Sequence, residues 1–375
     1  MSTNKLHNLN ILRGHTEEVL GFINLDSRVI LSWSNDTTLR IWHLDQINST
    51  TILRGHNAQV TYALNLPGGL ISSTAYDGSL CIWKSETGTL MQKIIRPELS
   101  FMGTMYYQPN QIISWDLEGN LILWDVSTGE AVSTVEGACF RYSEASMMRP
   151  FLLLRERSIA VTWPSITLEF WDLQTGQCIH SAMEHDDGVE SACLLPNDSI
   201  LTWSNDHTLK IWTPEGTVEA TLKGHENTIR NAYVIDDNHI VSWSSDATVR
   251  IWNFLTAEIK CVFTQHSNPV RYVWPVSNNL ILSQSLDGRC YVWDRETGQS
   301  ITTFTTEVRG GLVMSESKFL NWTQATIKLW DLDSGECIQV LNEHEGDILG
   351  AKLVDAKTVV SWSKDSTLRV WELAM

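Results

Sequence analysis

The stretch ILSWSNDTTLRIW, Ile30–Trp42, returns as ILTWSNDHTLKIW at Ile200–Trp212, as IVSWSSDATVRIW at Ile240–Trp252 and as VVSWSKDSTLRVW at Val359–Trp371. A chain that repeats one phrase at a fixed period builds one supersecondary unit many times, because a lone unit cannot bury both its faces and stacked units can. The last tryptophan of each unit marks the count: Trp42, Trp83, Trp124, Trp171, Trp212, Trp252, Trp293, Trp330 and Trp371. Their spacings are 41, 41, 47, 41, 40, 41, 37 and 41 residues, so nine units tile residues 1–375 as a single domain.

Inside each unit the hydrophobic period is two. Thr38-Leu39-Arg40-Ile41-Trp42 alternates polar with apolar residues, and Pro67-Gly68, Asp77-Gly78, Thr87-Gly88, Asp287-Gly288 and Thr297-Gly298 punctuate such runs as turns. Four short strands fit each unit. No segment carries a helical stripe with caps, so an all-β array is expected.

Gly14-His15, Gly55-His56 and Gly224-His225 open units that close in tryptophan, followed by aspartate in Trp124-Asp125, Trp171-Asp172, Trp293-Asp294 and Trp330-Asp331. In these features the chain resembles the WD40-repeat β-propeller family, over essentially its whole length. The resemblance implies radial four-stranded blades, each unit supplying an outer strand and then three inner ones. Asn10–His15 matches Thr51–His56, and the chain stops three strands into its last unit. The amino-terminal strand should therefore complete the last blade of a nine-bladed closed ring. Eight blades, with one degenerate unit displaced, is the alternative. The Ser-Trp-Ser spelling is similar to bacterial WD-repeat proteins.

Six units place a histidine 27 residues, a Ser or Thr ten residues and an aspartate six residues before the closing tryptophan. The sets are His15/Ser32/Asp36/Trp42, His56/Ser73/Asp77/Trp83, His185/Thr202/Asp206/Trp212, His225/Ser242/Asp246/Trp252, His266/Ser283/Asp287/Trp293 and His344/Ser361/Asp365/Trp371. One such set has the composition of a hydrolase triad, but an enzyme needs one activated nucleophile rather than six alike. A buried chain from indole to hydroxyl to imidazole to carboxylate is expected instead, since each of these groups needs a partner when buried. Unit three departs from the pattern with Pro97 and Glu118, unit four with Ala138, and unit eight with Glu307 and Gln324.

A second set of tryptophans, Trp33, Trp115, Trp163, Trp203, Trp243, Trp322 and Trp362, follows the hydroxyl position, where the family usually carries a small residue. Packed sheets sit about 10 Å apart, so an equivalent strand layer lies at a radius of roughly 11 Å for seven blades and roughly 14 Å for nine. Indoles near the inner edge should hold neighbouring blades apart and favour the larger ring.

A net charge of −17 argues against nucleic acid or an anionic membrane as partner. MSTNKLHNLN lacks an apolar core and no run approaches eighteen apolar residues, so a cytoplasmic monomer is expected. Cysteines 81, 139, 178, 193, 261, 290 and 337 form no CxxC pair and read as free thiols. Without a phosphate loop, HExxH or metal-ligand spacing, neither a cofactor, a metal nor catalysis is expected. The function these features favour is a protein- or peptide-binding scaffold or adaptor. A small-molecule or enzymatic propeller using its channel is the alternative.

The resemblance places partner contacts beside the start of each innermost strand and just before the turn aspartate. Carried over, Leu349, Leu20, Tyr76, Met102 and Leu117 form an apolar arc on blades nine, one, two and three, joined by Gln59 and Thr61. Arg230 and Arg271, on blades six and seven, form a positive spot fit for a carboxylate. Unit four, six residues longer, crowds in Arg141, Arg149, Arg155 and Arg157, a candidate docking projection.

Overall fold

A computed structural model describes residues 6–46, 50–138 and 151–373. In it, strands and one 3-10 turn, Arg155–Arg157, make up the regular structure, and the strands form nine sheets of four. In blade one Val19–Asp26, Val29–Ser34, Leu39–His43 and Thr50–Leu53 lie in that order, each antiparallel to the next. The same meander recurs in blades two to eight, from Val60–Leu66 through Cys337–Leu341. First strands of neighbouring sheets pack against each other, so these are the innermost strands of a nine-bladed propeller. Units three, four and eight are complete blades, which removes the eight-bladed alternative. Cys139, Arg141 and Arg149 lie outside the described residues.

The ninth blade joins the two ends of the chain. Ile348–Leu353, Thr358–Ser363 and Leu368–Leu373 are completed by Leu6–Leu12, paired from Leu6↔Leu373 to Leu12↔Leu368 with a bulge between Asn8 and Asn10. Pairing the two termini removes two exposed sheet edges at once. Gln339 of blade eight fastens this strand from the side: its Oε1 accepts the Leu6 N–H at 2.7 Å and its Nε2 donates to the Leu6 carbonyl at 2.8 Å. Gln339→Ala should therefore cost about 1–2 kcal/mol, two net hydrogen bonds. The cost is read as a lower urea midpoint together with faster amide exchange at Leu6. An unchanged exchange rate at Leu6 would show that Gln339 does not hold the strand.

The second set of tryptophans packs between blades. Trp33 joins Val60, Ala63, Ile71 and Trp83 of blade two, and Trp203 joins Ile229, Ala232, Ile240 and Trp252 of blade six. Trp362 meets Phe22 of blade one edge-on at 5.4 Å. In four blades space for the indole comes from a cross-strand glycine. Gly21, Gly103, Gly310 and Gly350 lie opposite Trp33, Trp115, Trp322 and Trp362, and a Cβ on any of them would come within 2.2–2.5 Å of the indole. Blades two and seven invert the arrangement, with Tyr62 and Tyr272 on the innermost strand opposite Thr74 and Gln284. One large ring per strand pair thus fills the inner layer whichever strand supplies it.

Candidate binding face

Four blades carry the complete hydrogen-bonded chain. In blade one the Trp42 indole donates to Ser32 Oγ at 2.8 Å, Ser32 Oγ meets His15 Nε2 at 2.8 Å, and His15 Nδ1 meets Asp36 Oδ2 at 2.8 Å. Blades five, six and nine repeat it through Trp212–Thr202–His185–Asp206, Trp252–Ser242–His225–Asp246 and Trp371–Ser361–His344–Asp365, every link between 2.6 and 2.9 Å. An indole N–H can only donate, so the hydroxyl accepts from it and gives its own proton to Nε2. Nδ1 then carries the imidazole proton and aims it at the carboxylate. The hydroxyls are wholly buried, each bonded to both its indole and its imidazole inside the blade.

Two of the six sets depart from the expected chain, both at the carboxylate end. In blade two the first links hold: the Trp83 indole donates to Ser73 Oγ at 2.8 Å, and Ser73 Oγ meets His56 Nε2 at 2.6 Å. The expected relay from Ser73 through His56 straight to Asp77 is nevertheless corrected, because a second hydroxyl, that of Ser79, stands between imidazole and carboxylate. His56 Nδ1 lies 2.5 Å from Ser79 Oγ, which reaches Asp77 Oδ1 at 2.5 Å, while the direct His56–Asp77 distance is 3.9 Å. The counterpart in blade one, Thr38 Oγ1, likewise reaches its aspartate, at 2.6 Å, but stays 3.4 Å from His15 Nδ1.

In blade seven the Trp293 indole donates to Ser283 Oγ at 2.6 Å and Ser283 Oγ meets His266 Nε2 at 2.7 Å, but His266 Nδ1 has no partner. The Asp287 carboxylate is drawn off by Asn268 Nδ2 at 3.0 Å and Ser285 Oγ at 2.5 Å.

The irregular units keep the indole bond with other partners. Trp124 donates to Ser114 at 2.8 Å, Trp171 to Thr162 at 2.9 Å and Trp330 to Asn321 Oδ1 at 2.6 Å. In blades four and eight the acceptor is nine residues before the tryptophan, an offset that a search at ten misses. Where blade three lacks the histidine, the Arg96 guanidinium lies 5.6 Å from the Trp124 ring, beside a cleft of about 580 Å³.

The same face holds the carried-over contact positions. In seven blades the backbone N–H before the turn aspartate, or its counterpart, donates to the carbonyl preceding the innermost strand: Asn35 to Glu18, Tyr76 to Gln59, Leu117 to Ser100, Asn205 to Gly188, Ser245 to Thr228, Leu286 to Pro269 and Lys364 to Asp347, each at 2.9–3.1 Å. Turn and strand start are therefore neighbours. Tyr76 (38% exposed), Leu117 (46%) and Leu349 (37%) project to solvent, whereas Leu20 and Met102 are half-buried against the inter-blade core. Thr61 is half-buried, its hydroxyl donating to the Phe101 carbonyl of blade three at 2.8 Å, and Gln59 is half-buried as well. Arg230 is exposed and bonded to Ser245 Oγ at 2.7 Å. Arg271 is exposed, lies 5.0 Å from the Tyr272 ring and receives the Trp243 indole N–H on its carbonyl at 3.1 Å. Arg155 reaches the Tyr106 carbonyl at 2.7 Å and Arg157 the Glu215 carboxylate at 2.6 Å, so both are held against neighbouring blades rather than projecting.

Elsewhere, a hollow of about 700 Å³ lies between the innermost strands of blades three to five, walled by Met105, Phe151, Leu153, Ala192 and Cys193. Among the described residues no cluster of three His, Cys, Asp or Glu side chains is placed to hold a metal, and no helix is long and apolar enough to cross a membrane. The six described cysteines are free, and burial pushes the Cys81 and Cys193 thiols up to about 12.

The family description "WD domain, G-beta repeat" matches residues 47–84, 176–213, 216–253 and 258–294. No curated protein matches the chain. Among solved structures it is similar to the C-terminal WD40 domain of Sif2, at TM-score 0.63 and 16% identity over 98% of both chains. It is also similar to the computationally designed Ika8 protein, at TM-score 0.59 and 21% identity over 98% of this chain and 99% of that one. At such identities the likeness speaks to fold alone. With four units matched by the repeat family and five more folded on the same strand plan, the chain belongs to the WD40-repeat proteins.

Proposed function

We propose that the protein is a non-catalytic scaffold that binds a protein or peptide across its loop face. One observation carries this reading: Tyr76 and Leu117, at equivalent turn positions of blades two and three, and Leu349, beside the start of the innermost strand of blade nine, all stand exposed on the loop face. Loop edges are ordinarily polar, and apolar side chains gathered on one face of a rigid disc are a common mark of partner sites. Leu20 and Met102 support the arc from below. A monomer in the cytoplasm belongs to the same reading.

A Tyr76→Glu/Leu117→Glu variant tests it, because both side chains are exposed and the variant should melt as wild type does. In quantitative pull-downs from lysate, a protein enriched by wild type should be lost from the variant. Equal enrichment by both would remove the arc from the binding surface. The apolar hollow at blades three to five favours a second reading, a small-molecule site on the channel. Filling it with Ala192→Trp should abolish thermal stabilisation by an apolar ligand if that reading holds.

A further inference from the structure

We propose that the cleft between blades seven and eight binds an acidic peptide segment, seating a carboxylate between Arg271 and Arg309 and an amide N–H on Gln284 Oε1. The inference rests on the loop face being a binding face. It does not depend on the apolar arc, which lies on other blades.

Two departures from the repeat coincide at this cleft. Blade seven carries Gln284 where seven other blades carry tryptophan. The loop into blade eight, residues 306–309, has four residues, whereas 223–228, 264–269 and 342–347 have six each. Beside the shortened wall, with the large ring of this blade carried by Tyr272 instead, lies a cleft of about 490 Å³ on the loop face, lined by Arg271, Gln284, Asp287, Glu307, Arg309 and Gln324 among others.

The polar groups define what fits. Gln284 is 2% exposed, and its Nε2 donates to the Thr306 carbonyl at 2.7 Å. That bond fixes the amide orientation, because a flip would set oxygen against oxygen. Its Oε1 is then a buried acceptor without a partner, and a buried acceptor calls for a donor. Neighbouring His266 Nδ1 is unpartnered too, so polar satisfaction fails in blade seven twice. A peptide amide supplies the donor that Gln284 lacks.

Charge completes the match. The Tyr272 hydroxyl donates to the Arg309 carbonyl at 3.2 Å while Arg271 lies 5.0 Å from the Tyr272 ring, so one ring brings the two arginine residues into the same neighbourhood. Arg309 also touches the Asp347 carboxylate at 3.0 Å, and Asp347 lies 3.8 Å from Lys364. That exposed pair opens at little cost and leaves further guanidinium donors. Asp287 is already engaged by Asn268, Ser285 and the Arg289 N–H, and Glu307 is exposed and screened by salt as the two arginines are, so the cleft offers directed guanidinium donors rather than a net positive charge. Planar guanidinium groups are suited to carboxylate recognition.

Random twelve-residue peptides displayed on phage, selected against the immobilised full chain, test the proposal. Enriched sequences should share an Asp or Glu. As fluorescent synthetic peptides they should bind Arg271→Glu and Arg309→Gln about tenfold more weakly, the loss of one charge-assisted hydrogen bond. They should bind the Tyr76→Glu/Leu117→Glu variant as they bind wild type. Both arginine side chains are exposed, so equal melting temperatures verify the fold of each variant. Peptides without acidic residues, peptides indifferent to both arginines, or no enrichment at all would overturn the cleft. Loss confined to the Tyr76/Leu117 variant would overturn it while leaving the scaffold reading in place.

Discussion

Acidification from pH 7 to about 4.5 should strip several kcal/mol from the ring, with His56 and His266 as the main sensors. Burial, first among the causes, lowers both imidazoles to about 4, and the carboxylates that oppose it, Asp77 and Asp287, act only from a distance. In blade two Ser79 intervenes, and in blade seven Asp287 is turned away. The unfolded chain binds these protons near pH 6.5 and the folded chain only near 4, so the unfolded state takes them up first as pH falls. Stability is thus complete above about 6.5 and declines down to about 4, by roughly 2–3 kcal/mol per histidine at pH 4.5.

The aspartates extend the effect to lower pH. At Asp36, Asp206, Asp246 and Asp365 burial raises the carboxyl pKa, but hydrogen bonds from the paired histidine and neighbouring groups outweigh it and hold the carboxyl well below its usual range. Their contribution is present above about pH 4 and lost as pH falls further. Urea midpoints measured from pH 7.5 to 4.5 should fall steadily for wild type. His266→Gln, lacking one sensor, should show a shallower decline. A flat profile in wild type, or the same slope in both proteins, would contradict the assignment.

Trp212→Ala should be the most damaging single substitution in blade five, costing about 3–5 kcal/mol. The indole is fully buried among Trp163, Leu168, Phe170, Val189 and Ile200. Its loss leaves a cavity and frees the Thr202 hydroxyl from the bond that directs its proton to His185. Trp212→Phe helps to separate the two causes, since it keeps an aromatic ring in the pocket while removing the N–H and part of the bicyclic ring. That variant should lose about 1–2 kcal/mol. Equal urea midpoints for the phenylalanine and alanine variants would mean that the hydrogen bond, rather than the packing, dominates.

Much of this architecture is legible in the residues alone because the repeat is periodic. The nine tryptophans from Trp42 to Trp371, the period-two strands and the match of Asn10–His15 to Thr51–His56 lead to nine blades with a shared last one, as observed. Trp33 opposite Gly21 is less legible, since cross-strand partners are separated by a turn whose register the sequence does not print. The swap to Tyr62 against Thr74 is visible only once the pairing is known.

Fold class, the number of units and the residues of the six histidine sets follow from the repeat, because hydrogen-bonding groups at fixed offsets in a repeated strand frame meet at fixed places. Tertiary structure alone decided which of those sets form an unbroken chain. Ser73 holds His56 as Ser32 holds His15, yet only the second imidazole touches its aspartate directly. Whether His266 or Asn268 approaches Asp287 turns on a few ångströms of loop path, and identical spacing does not resolve that. It also decided which face residues reach solvent. Leu20 and Leu117 both lie at carried-over contact positions on this face, yet the neighbouring blade covers one and leaves the other open. The pairing of Arg271 with Arg309 escaped the sequence for the same reason: 38 residues separate them, and only ring packing across a shortened loop brings them to one cleft.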